Sequence, residues 1–367
     1  MKYSKTSISK IGLALIASAL LASCGGNYKP PAPLFTNIVS FGDSLSDVGT
    51  YQVGGIAALG GGKFTINGTA NKVWVEDLAT ALSLPAPCAA ETGLNGSALY
   101  GFNVPVATHS GCYGYAQGGA RVTNPVGPGN ALLGGSNAIT GFLTVPLATQ
   151  IPSYLAANGG SFTGHELVTV WVGANDLFIH LDLLANSLET PDQAVAALEQ
   201  AAGEEAVYIK REIIGAGAQY VLVMNLPDVS LTPMAIAEGP AAQAEIQQLT
   251  QVYNGALKAT LYATTPGVKS NSATPVASPI LFYDTFTASQ GEAANAKTYG
   301  LTNITEPACN LAPAANPLGS SIICSSANLA GANVLTYEYA DDVHPTPYAH
   351  ALLTKGVLQA MQAVGWY

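Results

Sequence analysis

A serine at position 44 stands in a stretch that could expose it as a nucleophile. In the run TNIVSFGDSLSD, the apolar segment Ile38–Phe41 breaks at Gly42, and Ser46 and Asp47, which suit a helix N-cap, follow Ser44. The pattern predicts a tight turn at the carboxyl end of a strand, where open α/β sheets place ligands. A helix after the turn would direct its positive end toward developing negative charge. A Gly-Asp-Ser turn also occurs without any chemistry, so the rest of the chain must decide.

The stretch DDVHPTP supplies a base and a group to orient it. Asp341 lies three residues before His344, so its carboxylate can fold back onto Nδ1 and leave Nε2 facing outward, as a serine nucleophile requires. Pro345 keeps His344 out of the helical region, and the Thr-Pro pair that follows suits the start of a helix. Asp342 is the rival carboxylate, but its spacing of two predicts that it points away. The alternative is a solvated acidic turn.

Two further turns are predicted to reach the same surface. The short strand 113–116 ends in Gly118-Gly119, where a backbone N–H can approach another group closely. The β-branched run 166–173 is typical of a buried parallel strand, and Asn175 follows it. Because loops at the carboxyl ends of parallel strands meet at one edge, Ser44, the glycines and Asn175 should converge there.

The elements that must position these groups alternate between strand and helix, without a long-period repeat. This order predicts a parallel sheet covered by helices on both faces, in one domain. The predicted strands are 38–41, 113–116, 166–173, 218–225 and 279–284. The predicted helices are 71–82, 145–157, 191–216, 235–262 and 347–364. The segments 88–112 and 287–335 are predicted to be irregular excursions.

Composition excludes one class of function. The chain has 367 residues, only 10% of them charged, and a formal net charge of −10. A nucleic-acid-binding protein needs clustered Lys and Arg, so no nucleic-acid partner is expected.

The N-terminus resembles a bacterial lipoprotein signal. Lysines precede an apolar run, 11–22, that is too short to span a bilayer comfortably, and LASC at its end resembles a lipobox with Cys24 as the lipidated residue. Gly25 favours anchoring to the outer membrane. The alternative is ordinary cleavage near Cys24, which would release a soluble secreted protein. The expected organisation is a signal peptide over 1–23, a Pro-rich tether over 24–35, and a catalytic domain over 36–367.

The four remaining cysteines indicate disulfides in an exported protein. They allow three connectivities, of which the local pairs Cys88–Cys112 and Cys309–Cys324 would each close one excursion. Each bridge would contribute about 3 kcal/mol by restricting the unfolded chain. A zinc site is the competing interpretation, but no C-x-x-C pair or nearby histidine supports it.

Four blocks, FGDSLSD, YAQGGA, VGAND and DDVHPT, resemble those of the GDSL (SGNH) family of serine esterases and lipases, in that family's order, over 36–364. The resemblance implies a three-layer α/β/α, flavodoxin-like sandwich that needs no cofactor or metal. It also implies site residues: Ser44 as nucleophile, His344 as general base, Asp341 as its orienter, and the N–H of Ser44, the N–H of Gly119 (or Gly118) and the Asn175 side chain as oxyanion donors.

The expected activity is hydrolysis of carboxylic esters through an acyl-enzyme, with an ester or lipid as substrate and a membrane reached through Cys24. Lysophospholipase or short-to-medium-chain lipase activity is the first expectation. The protein is expected to be a monomer. Polysaccharide acetyl esterase, acyltransferase and a non-enzymatic binding lipoprotein are the alternatives.

Several other residues are expected to have structural roles. Asp43 is expected to form a turn and Asp176 to cap a helix. Trp74 and Trp171 are expected in the core. No metal-ligand spacing links the other histidines, which are His109, His165, His180 and His350.

Overall fold

The computed structural model describes residues 32–264 and 279–367. The predicted signal peptide and the lipidation site at Cys24 lie outside the described residues. Within the described ranges, no helix has the length and apolar character to cross a membrane.

The described part of the chain contains six strands and ten α-helices. The strands are β1 Ile38–Gly42, β2 Glu91–Asn95, β3 Asn103–Thr108, β4 Leu167–Trp171, β5 Tyr220–Met224 and β6 Ile280–Tyr283. The helices are α1 Gly54–Ala58, α2 Trp74–Ala81, α3 Asn137–Thr140, α4 Leu147–Ala157, α5 Ala174–Ala185, α6 Pro191–Tyr208, α7 Pro233–Glu238, α8 Pro240–Thr264, α9 Thr285–Ala294 and α10 Pro347–Ala363.

The central sheet is parallel, in the order β1-β4-β5-β6. Successive strand side chains point to opposite faces, and both faces are apolar here. Val39 and Val168 pack into a core with α4, α6 and α8, whereas Ile38 and Leu167 pack into a second core with α2 and α10. Helices therefore cover both faces, which confirms the predicted α/β architecture with a parallel sheet.

The predicted strand 113–116 is wrong. The chain makes a single bridge along the outer edge of β1, where the Ser40 N–H donates to the Tyr113 carbonyl and Tyr115 N–H donates to the Ser40 carbonyl. The next amide, that of Ala116, donates to the same Ser40 carbonyl. Since two consecutive amides share one acceptor, the backbone turns away instead of continuing a ladder.

The first excursion is also more ordered than predicted. β2 and β3 form an antiparallel pair, and the Cys88–Cys112 disulfide closes the segment that contains them. β3 is mostly exposed and contains Pro105, so it lacks the alternating apolar pattern that identifies a strand.

The second excursion contains α9 and a short 3₁₀ turn, Ser321–Ile323, next to the Cys309–Cys324 disulfide. Both predicted disulfide pairings are confirmed. The helix predicted over 235–262 is interrupted at Gly239, whose φ of 89° is a conformation that glycine adopts readily. The helix predicted over 191–216 changes at Ile209 to π geometry.

Candidate active site

Ser44 lies in a tight turn immediately after β1. Gly42 before it has a φ of 143°, and a Cβ there would meet the Trp171 carbonyl oxygen at 2.0 Å, so a side chain does not fit. Asp43 Oδ1 accepts the Leu45 N–H at 3.1 Å, which is the turn-forming role expected of it. Burial raises the pKa of Asp43 to about 7.

No helix follows the turn directly, so that prediction is wrong: α1 begins only at Gly54. Asp47, predicted to cap the helix, instead accepts the N–H groups of Gly49 and Thr50 through one oxygen and that of Gly118 through the other. The carboxylate therefore joins the Ser44 turn to the glycine turn.

Ser44, His344 and Asp341 form a continuous hydrogen-bonded chain. His344 Nε2 lies 2.9 Å from Ser44 Oγ, and His344 Nδ1 lies 2.9 Å from each Asp341 carboxylate oxygen. An ionised carboxylate only accepts, so Nδ1 carries the proton and Nε2 accepts from the serine hydroxyl. The elements at both ends of the chain, β1 and the turn before α10, thus meet at one point.

Asp341 is buried and fully engaged. It accepts the N–H groups of Ser321 at 2.7 Å, Val343 at 3.0 Å and His344 at 2.8 Å. Burial alone would raise the pKa of Asp341, but His344 and these hydrogen bonds hold the pKa well below its usual range. The donor Ser321 belongs to the disulfide-closed second excursion, a support that sequence reasoning missed. Asp342 contributes its backbone carbonyl to Met234 N–H.

Two backbone N–H groups beside Ser44 lack an acceptor among the described residues: those of Ser44 and Gly119. The Gly118 N–H donates to Asp47 Oδ2 at 2.9 Å, so of the two glycines only Gly119 has a free donor. Asn175 Nδ2 donates one hydrogen to the Ala120 carbonyl at 2.8 Å and keeps a second hydrogen. Ser44, Gly119 and Asn175 all line one cavity.

A buried ion pair fixes the glycine turn against α5. Asp176 accepts from Arg121 Nε at 2.9 Å and from the Val122 N–H at 3.0 Å. The predicted helix-capping role of Asp176 is therefore wrong, and sequence reasoning missed this link. A buried guanidinium needs a counter-charge, which Asp176 supplies here.

The remaining histidines hold no metal-ligand arrangement among the described residues. His109 contacts Thr92, His180 contacts Glu189, and His350 is fully buried. Trp74 and Trp171 are buried and pack edge to face with their ring centroids 5.9 Å apart, as expected of core residues.

Ser44 and His344 line two cavities. The larger, about 700 Å³, which we call the apolar cavity, is lined mainly by aromatic and aliphatic side chains, among them Phe64, Phe102, Phe142, Leu318 and Ile322. The smaller, about 100 Å³, which we call the acidic cavity, contains three carboxylic side chains: Asp228, Glu292 and Glu338.

Comparison with known proteins places the chain in a family. Residues 38–357 match the model of the GDSL-like Lipase/Acylhydrolase family. "Lipase 1" of Photorhabdus luminescens is 24% identical over 232 residues, which are 61% of this chain and 28% of that protein. The chain thus matches less than a third of that relative's length. Because the family match extends over most of the sequence and includes all four motif blocks, the chain belongs to the GDSL-like lipase/acylhydrolase family.

Proposed function

We propose that the protein hydrolyses carboxylic esters through an acyl-enzyme formed on Ser44. The observation that carries the proposal is the hydrogen-bonded chain from Asp341 through His344 to Ser44. Ser44 Oγ attacks the carbonyl carbon while His344 Nε2 takes its proton. The imidazolium then protonates the leaving alkoxide as the carbon–oxygen bond breaks. Water then attacks the acyl-enzyme by the same steps, which releases the acid and restores the Ser44 hydroxyl.

Three donors are suited to the oxyanion that forms on the carbonyl oxygen: the N–H groups of Ser44 and Gly119 and the second Nδ2 hydrogen of Asn175. The first two have no acceptor among the described residues. Asp47 and Asp176 hold the loops that carry these donors. Such preorganised donors stabilise charge without reorganising during the reaction.

Replacement of Asn175 by alanine should lower kcat by about 10²–10³-fold, as loss of one oxyanion donor does elsewhere. KM should change less, because the donor acts mainly when negative charge develops. The measurement is steady-state kinetics with a p-nitrophenyl ester. Asn186→Ala, at the exposed end of the same helix, is the matched control. An Asn175→Ala enzyme with near-normal kcat would remove Asn175 from the site.

The apolar cavity supports an aliphatic acyl group as the acid part of the substrate. Among the described residues, no Asp, Glu, Lys or Arg lines it. Its volume of about 700 Å³ would remain mostly empty around an acetyl group. We therefore place a lipase or lysophospholipase activity ahead of acetyl-ester removal from a polysaccharide.

Rates with p-nitrophenyl esters should accordingly rise with acyl length. We expect kcat/KM of purified residues 25–367 to increase by about tenfold or more from acetate to octanoate, since each buried methylene contributes up to about 0.8 kcal/mol. Ala58 lines the cavity on α1, whereas neighbouring Ala57 does not. Ala58→Phe should reduce the octanoate rate more than the acetate rate, and the matched Ala57→Phe should not. A profile that peaks at acetate would instead favour the polysaccharide acetyl esterase.

We also propose that the protein is exported and held at a membrane by a lipid on Cys24. The N-terminal sequence supports this location, and the two disulfides fit an oxidising compartment. Detergent-phase partitioning of the protein produced with its N-terminal segment tests the anchor, and recovery in the aqueous phase alone would argue for simple secretion.

A further inference from the structure

The acidic cavity differs in chemistry from the apolar one, although both reach Ser44 and His344. It lies at the carboxyl end of the parallel strands, and its walls include Asp228 after β5, Glu292 on α9 and Glu338 before His344. Within the part of the chain that the structure describes, no Lys or Arg lines it. The cavity therefore has acidic walls without a basic partner.

The three carboxylic groups differ in how they are partnered. Asp228 accepts from Gln247, Gln290 and Ser230 and is satisfied within the protein. By contrast, one carboxyl oxygen of Glu338 is buried without a hydrogen-bond partner in the described part of the chain. Neither Glu292 nor Glu338 forms an ion pair with a described Lys or Arg. A positively charged group in the cavity would satisfy both.

His350 provides a second, independent observation that points to a ligand. Its side chain is fully buried and lines the cavity, yet neither ring nitrogen has a hydrogen-bond partner among the described residues. Burial lowers the pKa of His350 to about 3, so the ring is neutral and adds no positive charge. A neutral imidazole has one nitrogen with a free lone pair, and this lone pair interacts favourably with a positively charged group.

The other walls favour a cation over an anion. Trp171, Phe178 and Tyr339 line the cavity, and aromatic faces attract ammonium groups. The amide groups at the start of α9, which could have held an anion, already donate to the side chains of Asn225 and Asp284.

We propose that the acidic cavity binds the alcohol part of the ester and selects alcohols that carry an ammonium group. This inference rests on the proposed esterase function. The acyl chain occupies the apolar cavity, and the ammonium group enters the acidic cavity, where Glu338 and Glu292 face it. The volume of about 100 Å³ restricts the choice to a short amino alcohol such as choline.

The test compares two esters of the same acid and shape. Octanoylcholine carries a quaternary ammonium, and neohexyl octanoate replaces that nitrogen by carbon. We expect kcat/KM to be about tenfold higher for the choline ester, the scale of a partly desolvated cation–carboxylate and cation–π contact. Glu338→Gln and Glu292→Gln, on separate segments, should each reduce this ratio to about threefold or less. Glu199→Gln on exposed α6 surface should leave the ratio unchanged.

The ratio should also rise with pH. Burial raises the pKa of Glu338 to about 8 and that of Glu292 to about 7, so both carboxyls are neutral at lower pH and ionise as pH increases. The other titratable groups that face the cavity are Asp228, Tyr339, His344 and His350. His344 acts on both esters in the same way, so its contribution cancels from the ratio. We expect preference for the choline ester to grow between about pH 6 and pH 8.5.

Hydrolysis of p-nitrophenyl octanoate separates the possible failures. If this ester is hydrolysed but the choline and neohexyl esters react at equal rates, or the ratio is indifferent to both glutamate variants, the ammonium subsite is refuted and the esterase function stands. If p-nitrophenyl octanoate is not hydrolysed at all, both proposals fail together.

Discussion

Replacement of Ser44 by alanine should reduce kcat for ester hydrolysis by about 10³-fold or more, as removal of a triad serine does elsewhere. The hydroxyl is the atom that forms the covalent bond to the substrate, so no neighbouring group replaces it. Among the described residues, its hydrogen bond to His344 is the one hydrogen bond that this side chain makes. The melting temperature of Ser44→Ala should therefore stay close to that of the wild type.

Ser46→Ala is the matched control, since it lies two residues along the same turn. The Ser46 hydroxyl accepts from Trp74 Nε1 at 3.1 Å, so its loss should cost about 1 kcal/mol of stability while kcat is retained. A fluorophosphonate probe should modify Ser44 in the wild-type protein and nothing in Ser44→Ala. Full activity of Ser44→Ala, or modification of a different serine, would refute the nucleophile assignment.

Asp341→Asn should lower kcat by about 10³–10⁴-fold, because an amide beside Nδ1 favours the wrong imidazole tautomer and cannot stabilise the imidazolium. Asp342→Asn should change kcat by less than about threefold, since its carboxylate is not hydrogen-bonded to His344. The two substitutions are chemically identical and adjacent, so each controls for the other. The measurement is kcat with p-nitrophenyl octanoate, alongside the melting temperature of each variant.

A purely structural role for Asp341 makes a different prediction. Asp341 also accepts the N–H groups of Ser321 and Val343, so Asp341→Asn could loosen the loop. In that case the melting temperature would fall and the acyl-enzyme would form normally in the fraction that remains folded. A large loss of kcat at unchanged melting temperature supports orientation of His344. The reverse ranking, with Asp342→Asn the more damaging, would exchange the two assignments.

Local chemistry explains why the sheet and its main helices could be predicted. β4 is a continuous β-branched run, which is typical of a buried parallel strand. The helices α6 and α10 begin at prolines that follow threonine caps. Once the strands are parallel, the convergence of their carboxyl ends follows. This geometry is why Ser44 and Asn175 could be placed on one edge from the sequence, whereas the glycine turn follows no strand of the described chain and is held there by Asp47 and Asp176.

Long-range partners could not be predicted in the same way. Asp47 and Asp176 each stand where a helix cap is common, and the local pattern offers no sign that their hydrogen-bond donors lie far along the chain at Gly118 and Arg121. The carboxylates of the acidic cavity come from three separate segments that only the fold brings together. The β2–β3 pair was missed because an exposed strand with a proline lacks apolar alternation.

The walls of the apolar cavity differ in how freely they could evolve. Within the described ranges, Ala58 on α1, Phe102 beside β3 and Ile139 on α3 belong to segments that give no hydrogen bond to the triad. Mutations there can therefore change the preferred acyl length without altering the triad. Leu318 and Ile322 flank Ser321, whose N–H holds Asp341. Substitutions of Leu318 or Ile322 that change the substrate preference should therefore also disturb Asp341 and lower kcat. New substrate ranges should therefore arise first through α1, α3 and the β2–β3 excursion, which are also the places to begin directed evolution.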